Sequence, residues 1–465
     1  MTTLTSERNW RGETAALFRI AGPLIVNNLA IAGMQFADAV MAGRLGAASL
    51  AAVAVGGSIW FLGFTLFLGL MMAISPIAAR YYGAGELAMI GRYTRQGLWL
   101  AVVLGAILIL FAQTLAEPAL ALLHIDSEFR GVTLDYVKAI MFGAPAICAF
   151  LAFRFTTEGI GHTRPIMYTS LFALVCNVFL NYVFMFGHFG APALGAAGCG
   201  VASAVTMWLI MFILGGHMYL HPRYRPLEIF VKVAPMRFPV LREIVSLGWP
   251  ISITITAEAG LFSAVSILMG TRGAEITAAH QIALNFSSTL FMVPLALSSA
   301  ITIRIGHALG AMNLDEARYS GTVGIFACGV FMACSATFLL VFKDAVVSLY
   351  TTDTAVQAIA VSLLLIAAVF QVADGVQIGA AGALRGYKDT RKPMVINMFS
   401  YWALAFPLAW MAAIPLQAEP WWIWVAFVLG LTVAAVLLSF RYNKVSARPQ
   451  DFGSIAAVVR EQAGL

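Results

Sequence analysis

The chain has 465 residues, of which 61% are hydrophobic and only 11% charged, where a soluble domain carries roughly 25% charged residues. Apolar runs near 20 residues, each long enough to cross ~30 Å of hydrocarbon as a helix, recur from end to end and exclude an ordinary water-soluble globule. The net charge of +6 implies no nucleic-acid partner, because the cations sit in the connections between apolar runs.

Hydropathy predicts twelve spans, at roughly 17–42, 48–79, 97–115, 133–153, 166–187, 194–220, 244–270, 276–303, 321–342, 354–383, 394–415 and 421–440. The longer ones should tilt or protrude into water. The polar stretch Met1 to Arg11 does not resemble a secretory signal, so the first span is expected to stay in the mature chain.

The alternate connections differ in charge. One set, with both termini, holds 23 of the 28 Lys and Arg, including Arg80, Arg92, Arg95, Arg223, Arg225, Lys232, Arg385, Arg391, Arg448 and Arg460. The other holds only Arg44, Arg130, Arg272 and Lys343, and Lys138 lies inside a span. Positive charge collects on the cytoplasmic side. Both termini are therefore expected inside, and the acidic 116–135 connection (Glu117, Asp126, Glu128, Asp135) outside.

The sequence also repeats itself. With Pro250 placed over Pro23, an offset of 227 residues, Gly33 lies over Gly260, Gly43 over Gly270, Gly46 over Gly273 and Ala47 over Ala274. Gly159 to Pro165 resembles Gly386 to Pro393 with one residue inserted. Two homologous halves follow, each expected to begin with a proline-started helix. In the Gly159 and Gly386 segments, glycine is expected to make a tight turn and proline to open the next helix. Six spans per half is an even number, so both halves enter the membrane with one orientation and should be related by a pseudo-two-fold along its normal, with a cleft between them. The expected organisation is an amino-terminal lobe over 1–220, a basic, proline-rich cytoplasmic linker over 221–243, a carboxy-terminal lobe over 244–440 and a cytoplasmic tail over 441–465.

The intramembrane acids are Asp38, Glu258 and Asp374, none duplicated in the other half. A charge at bilayer depth costs roughly 2.5–3.5 kcal/mol on insertion scales, so each marks a cavity or a partner. Gln371, Asp374 and Gln377 recur every three residues on one helical stripe, and Thr254 lies one turn before Glu258. A cavity lined by Thr254, Glu258, Gln371 and Asp374 is expected. In the first half Gln35 and Asp38 are spaced i,i+3, and Asn177 and Asn181 i,i+4. A carboxylate with two amide carbonyls is an oxygen-rich set suited to Na⁺. The competing reading is amide glue between helices.

The five cysteines (Cys148, Cys176, Cys199, Cys328 and Cys334) all lie in apolar spans and read as small buried hydrophobes. His280 reads as packed and neutral. Trp421, Trp422 and Trp424 suggest an aromatic belt at the outer face, while Trp60 and Phe291 are candidates for lining a substrate cavity. No histidine spacing suggests a metal site, and neither a phosphate loop nor a nucleophile elbow is present, so enzymatic chemistry is not expected.

Three segments, Tyr81 to Glu86, Arg304 to Ala311 and Leu384 to Thr390, resemble the multidrug and toxic compound extrusion (MATE) transporters, and the order of intramembrane polar residues is similar to the NorM-type branch. The resemblance covers essentially the whole chain. It implies an all-α protein of two six-helix bundles that exports cationic or amphipathic compounds in exchange for Na⁺ or H⁺, as a monomer in the bacterial inner membrane. It assigns Asp38, Asn177 and Asn181 to an amino-lobe cation or proton site and Glu258 and Asp374 to carboxy-lobe coupling. Gln281 and Asp353 match positions near the drug-binding mouth, and Gln35, Phe291 and Gln371 complete the expected substrate contacts. One departure is Phe370, where Na⁺-linked relatives often carry a tyrosine. Two rivals are a lipid-linked-precursor flippase of the same broad superfamily and a polytopic membrane enzyme. A major-facilitator transporter is disfavoured by the lack of an Arg-x-Gly-Arg-Arg loop after the second span.

Overall fold

The computed structural model describes residues 9–122, 127–231 and 234–447, without the side chains of Ser127 and Glu128. The tail beyond Ala447, with Arg448 and Arg460, lies outside the described residues, as do Arg8, Asp126 and Lys232. Regular structure among the described residues is helical throughout. Among them, eleven helices are long and apolar enough to cross a membrane, and a bent pair passes the same test when its two parts are taken as one span. They are α1 (Trp10–Arg44), α2 (Ala47–Gly83), α3 (Leu87–Thr114), α4 (Phe129–Met141 with Ala144–Gly159), α5 (Arg164–Phe186), α6 (Ala196–Leu220), α7 (Phe238–Gly270), α8 (Ala274–Gly310), α9 (Leu314–Tyr350), α10 (Thr354–Gly386), α11 (Arg391–Ala413) and α12 (Pro420–Ser446). Eleven of the spans expected from hydropathy fall on single helices, and the expected 133–153 span falls on the bent pair. Many run further into the basic connections than hydropathy marks, because charged and polar residues continue a helix once it leaves the hydrocarbon.

Local chemistry explains several ends. Asn313 caps α9, accepting the Glu316 amide at 3.1 Å and donating to its carboxylate at 2.9 Å. Pro165 and Pro420 stand in the first turns of α5 and α12, where a missing N–H costs nothing. α4 bends by 43° between its two parts, where Pro145 opens the second part without a donor.

Two expectations are corrected. Pro23 and Pro250 do not start helices; they lie inside α1 and α7. Each removes one backbone bond, which a membrane helix tolerates when neighbouring groups re-satisfy the carbonyl. Nor do Gly159 and Gly386 make the tight turns. The left-handed residues there are Gly161 (φ 75°) and Lys388 (φ 60°). Gly159 is instead a close-approach position, where a Cβ would meet the Ser75 carbonyl at 2.8 Å; at Gly386 it would meet Ile305 Cβ at 2.8 Å.

The chain divides into two compact units. One comprises Ile20–Tyr82 and Glu86–Thr256; the other comprises the chain up to Arg19, Gly83–Gly85 and the chain from Ala257 onward. In the first unit, apolar cores gather around Phe150, Phe153 and Leu214 and around Val137, Met141 and Met185. The segment after α6 is docked onto α3 of that unit. Tyr224 and Leu227 are buried, Trp99 Nε1 donates to the Ala234 carbonyl at 2.9 Å, and Gln96 donates to the Pro235 carbonyl at 2.9 Å.

The second unit has its own core around Trp424, Phe427, Tyr401 and Phe370. Trp424 is fully buried, so it is a core residue and not part of an aromatic belt; its indole N–H donates to His280 at 3.2 Å. His280 is thus packed, as expected, and it is also hydrogen-bonded. At the start of α1, Glu13 takes a two-pronged ion pair from Arg304, at 3.0 and 2.6 Å, and a bond from Ser320 at 2.5 Å. All five cysteines are free; Cys148, Cys199 and Cys328 are buried, whereas Cys176 is half-buried and Cys334 exposed, contrary to the expectation for both.

Candidate functional site

The amino-terminal acid lies on α1 and its amide partners on α5, one helical turn apart. Asn181 Nδ2 donates to Asp38 Oδ1 at 2.6 Å and to Asn177 Oδ1 at 3.3 Å. Asn177 Nδ2 points to Ser203 Oγ on α6 at 3.5 Å. The Cys199 thiol adds a contact to Asp38. Both asparagines are buried, and Asn181 Oδ1 has no hydrogen-bond partner although it is removed from solvent. A buried acceptor without a donor costs about 1–3 kcal/mol. The oxygens of Asp38, Asn177 and Asn181 are therefore a donor set that fits a hard cation. Gln35, on the same helix, is exposed. Sequence reasoning missed Cys199 and Ser203, whose helix shows little polarity.

The second cluster stands on α7, α10 and α11. Gln371, Asp374 and Gln377 are all buried, as their shared stripe requires. Ser335 donates to Gln371 at 2.8 Å, and Gln377 Nε2 donates to the Tyr401 hydroxyl at 2.8 Å. The carboxyl groups of Glu258 and Asp374 lie within electrostatic reach of each other and of Tyr401. Asp374 Oδ1, Gln377 Oε1 and Gln371 Nε2 have no partner. Thr254 turns its hydroxyl back to the Pro250 carbonyl of its own helix at 2.8 Å.

Phe370 takes no part in this polarity. Its ring packs edge-on against Phe262 and Trp424, at 6.1 and 5.8 Å. The phenol close to Asp374 comes instead from Tyr401, which sits in a π-helical stretch, Phe399–Ala405, within α11. Such wide turns shift the residues that follow around the helix and often mark functional positions. Asn397, just before the stretch, and Ser400, within it, are buried with unpartnered polar atoms. Sequence reasoning missed Asn397, Ser400 and Tyr401, although their i, i+3, i+4 spacing inside an apolar span was a readable signal.

The remaining expected residues have other surroundings. Asp353 caps α10, its carboxylate accepting from the amides of Ala355 and Val356 at 2.9 and 3.4 Å. Gln281 is exposed on α8 and Phe291 is partly buried there. Among the described residues no group of three or more His, Cys, Asp or Glu is placed to hold a metal ion.

The family model described as MatE matches residues 23–183 and again 250–411. The chain belongs to the MatE family. The two matches begin at Pro23 and Pro250, the residues that align the internal repeat. Among curated relatives, the multidrug resistance protein PmpM of Pseudomonas aeruginosa is 37% identical over 444 residues, covering 94% of this chain and 93% of its own. The multidrug resistance protein MdtK of Edwardsiella ictaluri is 35% identical, covering 96% of this chain and 98% of its own. In fold, the chain is similar to the eukaryotic MATE transporter AtDTX14, with a TM-score of 0.82 at 20% identity, covering 95% of this chain and 99% of that one. It is likewise similar to an outward-facing multidrug resistance MATE family transporter, with a TM-score of 0.85 at 18% identity, covering 96% and 100%. The two-half, twelve-helix MATE architecture expected from the sequence is the architecture found.

Proposed function

We propose that this MatE-family chain is a secondary efflux transporter that expels cationic or amphipathic compounds by alternating access, driven by inward movement of Na⁺ or H⁺. It works as a monomer in the bacterial inner membrane with both termini in the cytoplasm, and its lobes are 1–220 and 244–440. The observation that carries the coupling is the buried, unpartnered oxygen of Asp374 beside Glu258. Two acids together at bilayer depth are costly when charged. A cationic drug, Na⁺ or a proton relieves that cost, and only one kind of cation is needed at a time. Competition for the same carboxylates is then the exchange mechanism: the entering ion takes the acids and the drug is released.

Asp38, Asn177 and Asn181 form the second ion station, with an oxygen set suited to Na⁺ as well as to a proton. Gln371 extends the carboxy-terminal site toward substrate, and Gln35, Gln281, Phe291 and Asp353 are the further substrate contacts. Support for a drug substrate comes from the relatives, which are named as multidrug resistance proteins. The gradient supplies about 2.3 kcal/mol per charge per 100 mV.

The test is ethidium efflux from liposomes holding oriented protein, driven first by a Na⁺ gradient at equal pH and then by a pH gradient without Na⁺. Efflux under either gradient, abolished or uncoupled in at least one of Asp38→Asn, Glu258→Gln and Asp374→Asn, is expected. Unchanged coupled export by all three variants would overturn the mechanism. No efflux from active, folded protein would move the reading to the lipid-precursor flippase.

A further inference from the structure

Away from both acid clusters, a cavity of about 410 Å³ opens beside α9, α10 and α12. Thr322, Phe326, Gly329 and Ala333 line it from α9, one face of the helix repeating every three to four residues. From Thr322 to Ala333 that face rises about 16 Å. The hydrocarbon of a bilayer is about 30 Å thick, so the groove has the depth of one leaflet. Val376 of α10 lies at its back: a Cβ on Gly329 would meet Val376 Cγ2 at 3.2 Å, so the missing side chain is what leaves room.

The groove is polar at one end. From α12 it is lined by Ser439, Tyr442 and Asn443, with Thr322 opposite. The Tyr442 hydroxyl donates to the Arg318 carbonyl at 2.7 Å and lies 3.3 Å from Thr322 Oγ1. Ser439 Oγ is buried without a partner. Arg318 is exposed and lies close enough to interact with Tyr442 and Tyr387. The neighbouring Arg441 is already committed to Asp389 at 2.7 Å. The other end, at Val330 and Ala333, has no polar side chain among the lining residues.

We infer that this groove holds one acyl chain of a phospholipid whose anionic headgroup rests on Arg318 and Asn443. The match is of depth, polarity and charge: one leaflet long, apolar within the hydrocarbon, and hydroxyl-lined where the phosphate would lie, with the exposed Arg318 beside Tyr442. Trp10 of α1 packs edge-on against Phe326 at 5.0 Å, so the start of the first span supports one of the groove's lining residues.

The test uses full-length protein reconstituted in mixed phosphatidylglycerol and phosphatidylethanolamine vesicles, extracted into mild detergent and weighed by native mass spectrometry. One retained phosphatidylglycerol per protein is expected. Ala333→Phe fills the groove and should lower that occupancy at least tenfold, while Val341→Phe, on an exposed part of α9 outside the groove, should leave it unchanged. Arg318→Gln should remove the preference for phosphatidylglycerol over phosphatidylethanolamine. Melting temperatures confirm that each variant is folded. No retained lipid in the wild type, or equal occupancy in Ala333→Phe, would overturn the site. An unchanged headgroup preference in Arg318→Gln would overturn the role given to Arg318.

Discussion

The side-chain amide of Gln377 donates to the hydroxyl of Tyr401 at 2.8 Å, across from α10 to the π-helical stretch of α11. Both residues are buried, and the same phenol lies within electrostatic reach of Glu258 and Asp374. Tyr401 therefore gives this site the hydroxyl that Phe370, packed among Phe262 and Trp424, does not provide.

Tyr401→Phe keeps the ring and its packing but leaves Gln377 Nε2 buried without an acceptor. A loss of about 1–3 kcal/mol is expected. Thermal unfolding in detergent measures that cost. Cation-driven dye efflux should also fall, whereas Phe370→Tyr should not restore it, because the ring at 370 points into an apolar cluster. Full efflux by Tyr401→Phe would remove Tyr401 from the coupling site.

Asn181→Ala takes away the donor that reaches Asp38 at 2.6 Å. A hydrogen bond to a charged group contributes about 1.5–3 kcal/mol, or roughly tenfold and more in an equilibrium constant. Losing that donor does not by itself weaken cation binding, but the variant also removes Asn181 Oδ1, an oxygen with no other partner, so the apparent affinity for driving Na⁺ should fall by about that factor. The concentration dependence of efflux on that cation measures it, with Asn181→Asp as the variant that keeps an oxygen in place.

His162 lies between α4 and α5, its Nδ1 3.0 Å from the Tyr224 hydroxyl. Burial, with help from Arg223, His217, His221 and Arg164, lowers its titration from 6.5 to about 4. The folded protein thus favours the neutral ring, and between about pH 6.5 and 4 the unfolded chain binds more protons. Stability must fall as pH drops through that window. His162→Gln should flatten the dependence. Melting temperatures from pH 7 to 4.5 test this: an equal decline in both proteins would show that His162 does not contribute.

Gly382 of α10 packs on Ser298 of α8, whose hydroxyl donates to the Ile378 carbonyl at 2.8 Å. A Cβ at 382 would fall 2.3 Å from Ser298 Oγ and 2.5 Å from its carbonyl oxygen. The carbonyl cannot move without shifting α8. Gly382→Ala should destabilise the carboxy-terminal unit by about 1–3 kcal/mol through overpacking. Its melting temperature, compared with that of Gly270→Ala, where a Cβ meets nothing within 4 Å, measures the difference.

Much of this protein is determined by the order of its residues alone. The twelve spans follow from apolar length, because each run of about 20 residues must satisfy its backbone internally once it is in lipid. The two halves follow from residues aligned at one offset, and the Gln371–Asp374–Gln377 face follows from helical periodicity. Which partners those residues meet was decided by tertiary structure. Asn181, not an ion-pairing cation, faces Asp38 because α5 packs beside α1. Tyr401 reaches the acids from within a wide turn of α11, and no linear pattern marks a wide turn. Trp424 reads as an interfacial residue yet lies in the core, and Pro23 and Pro250 read as helix starts yet lie within helices. In each case the local signal was compatible with several positions. Packing between helices, which depends on residues distant in sequence, selected one.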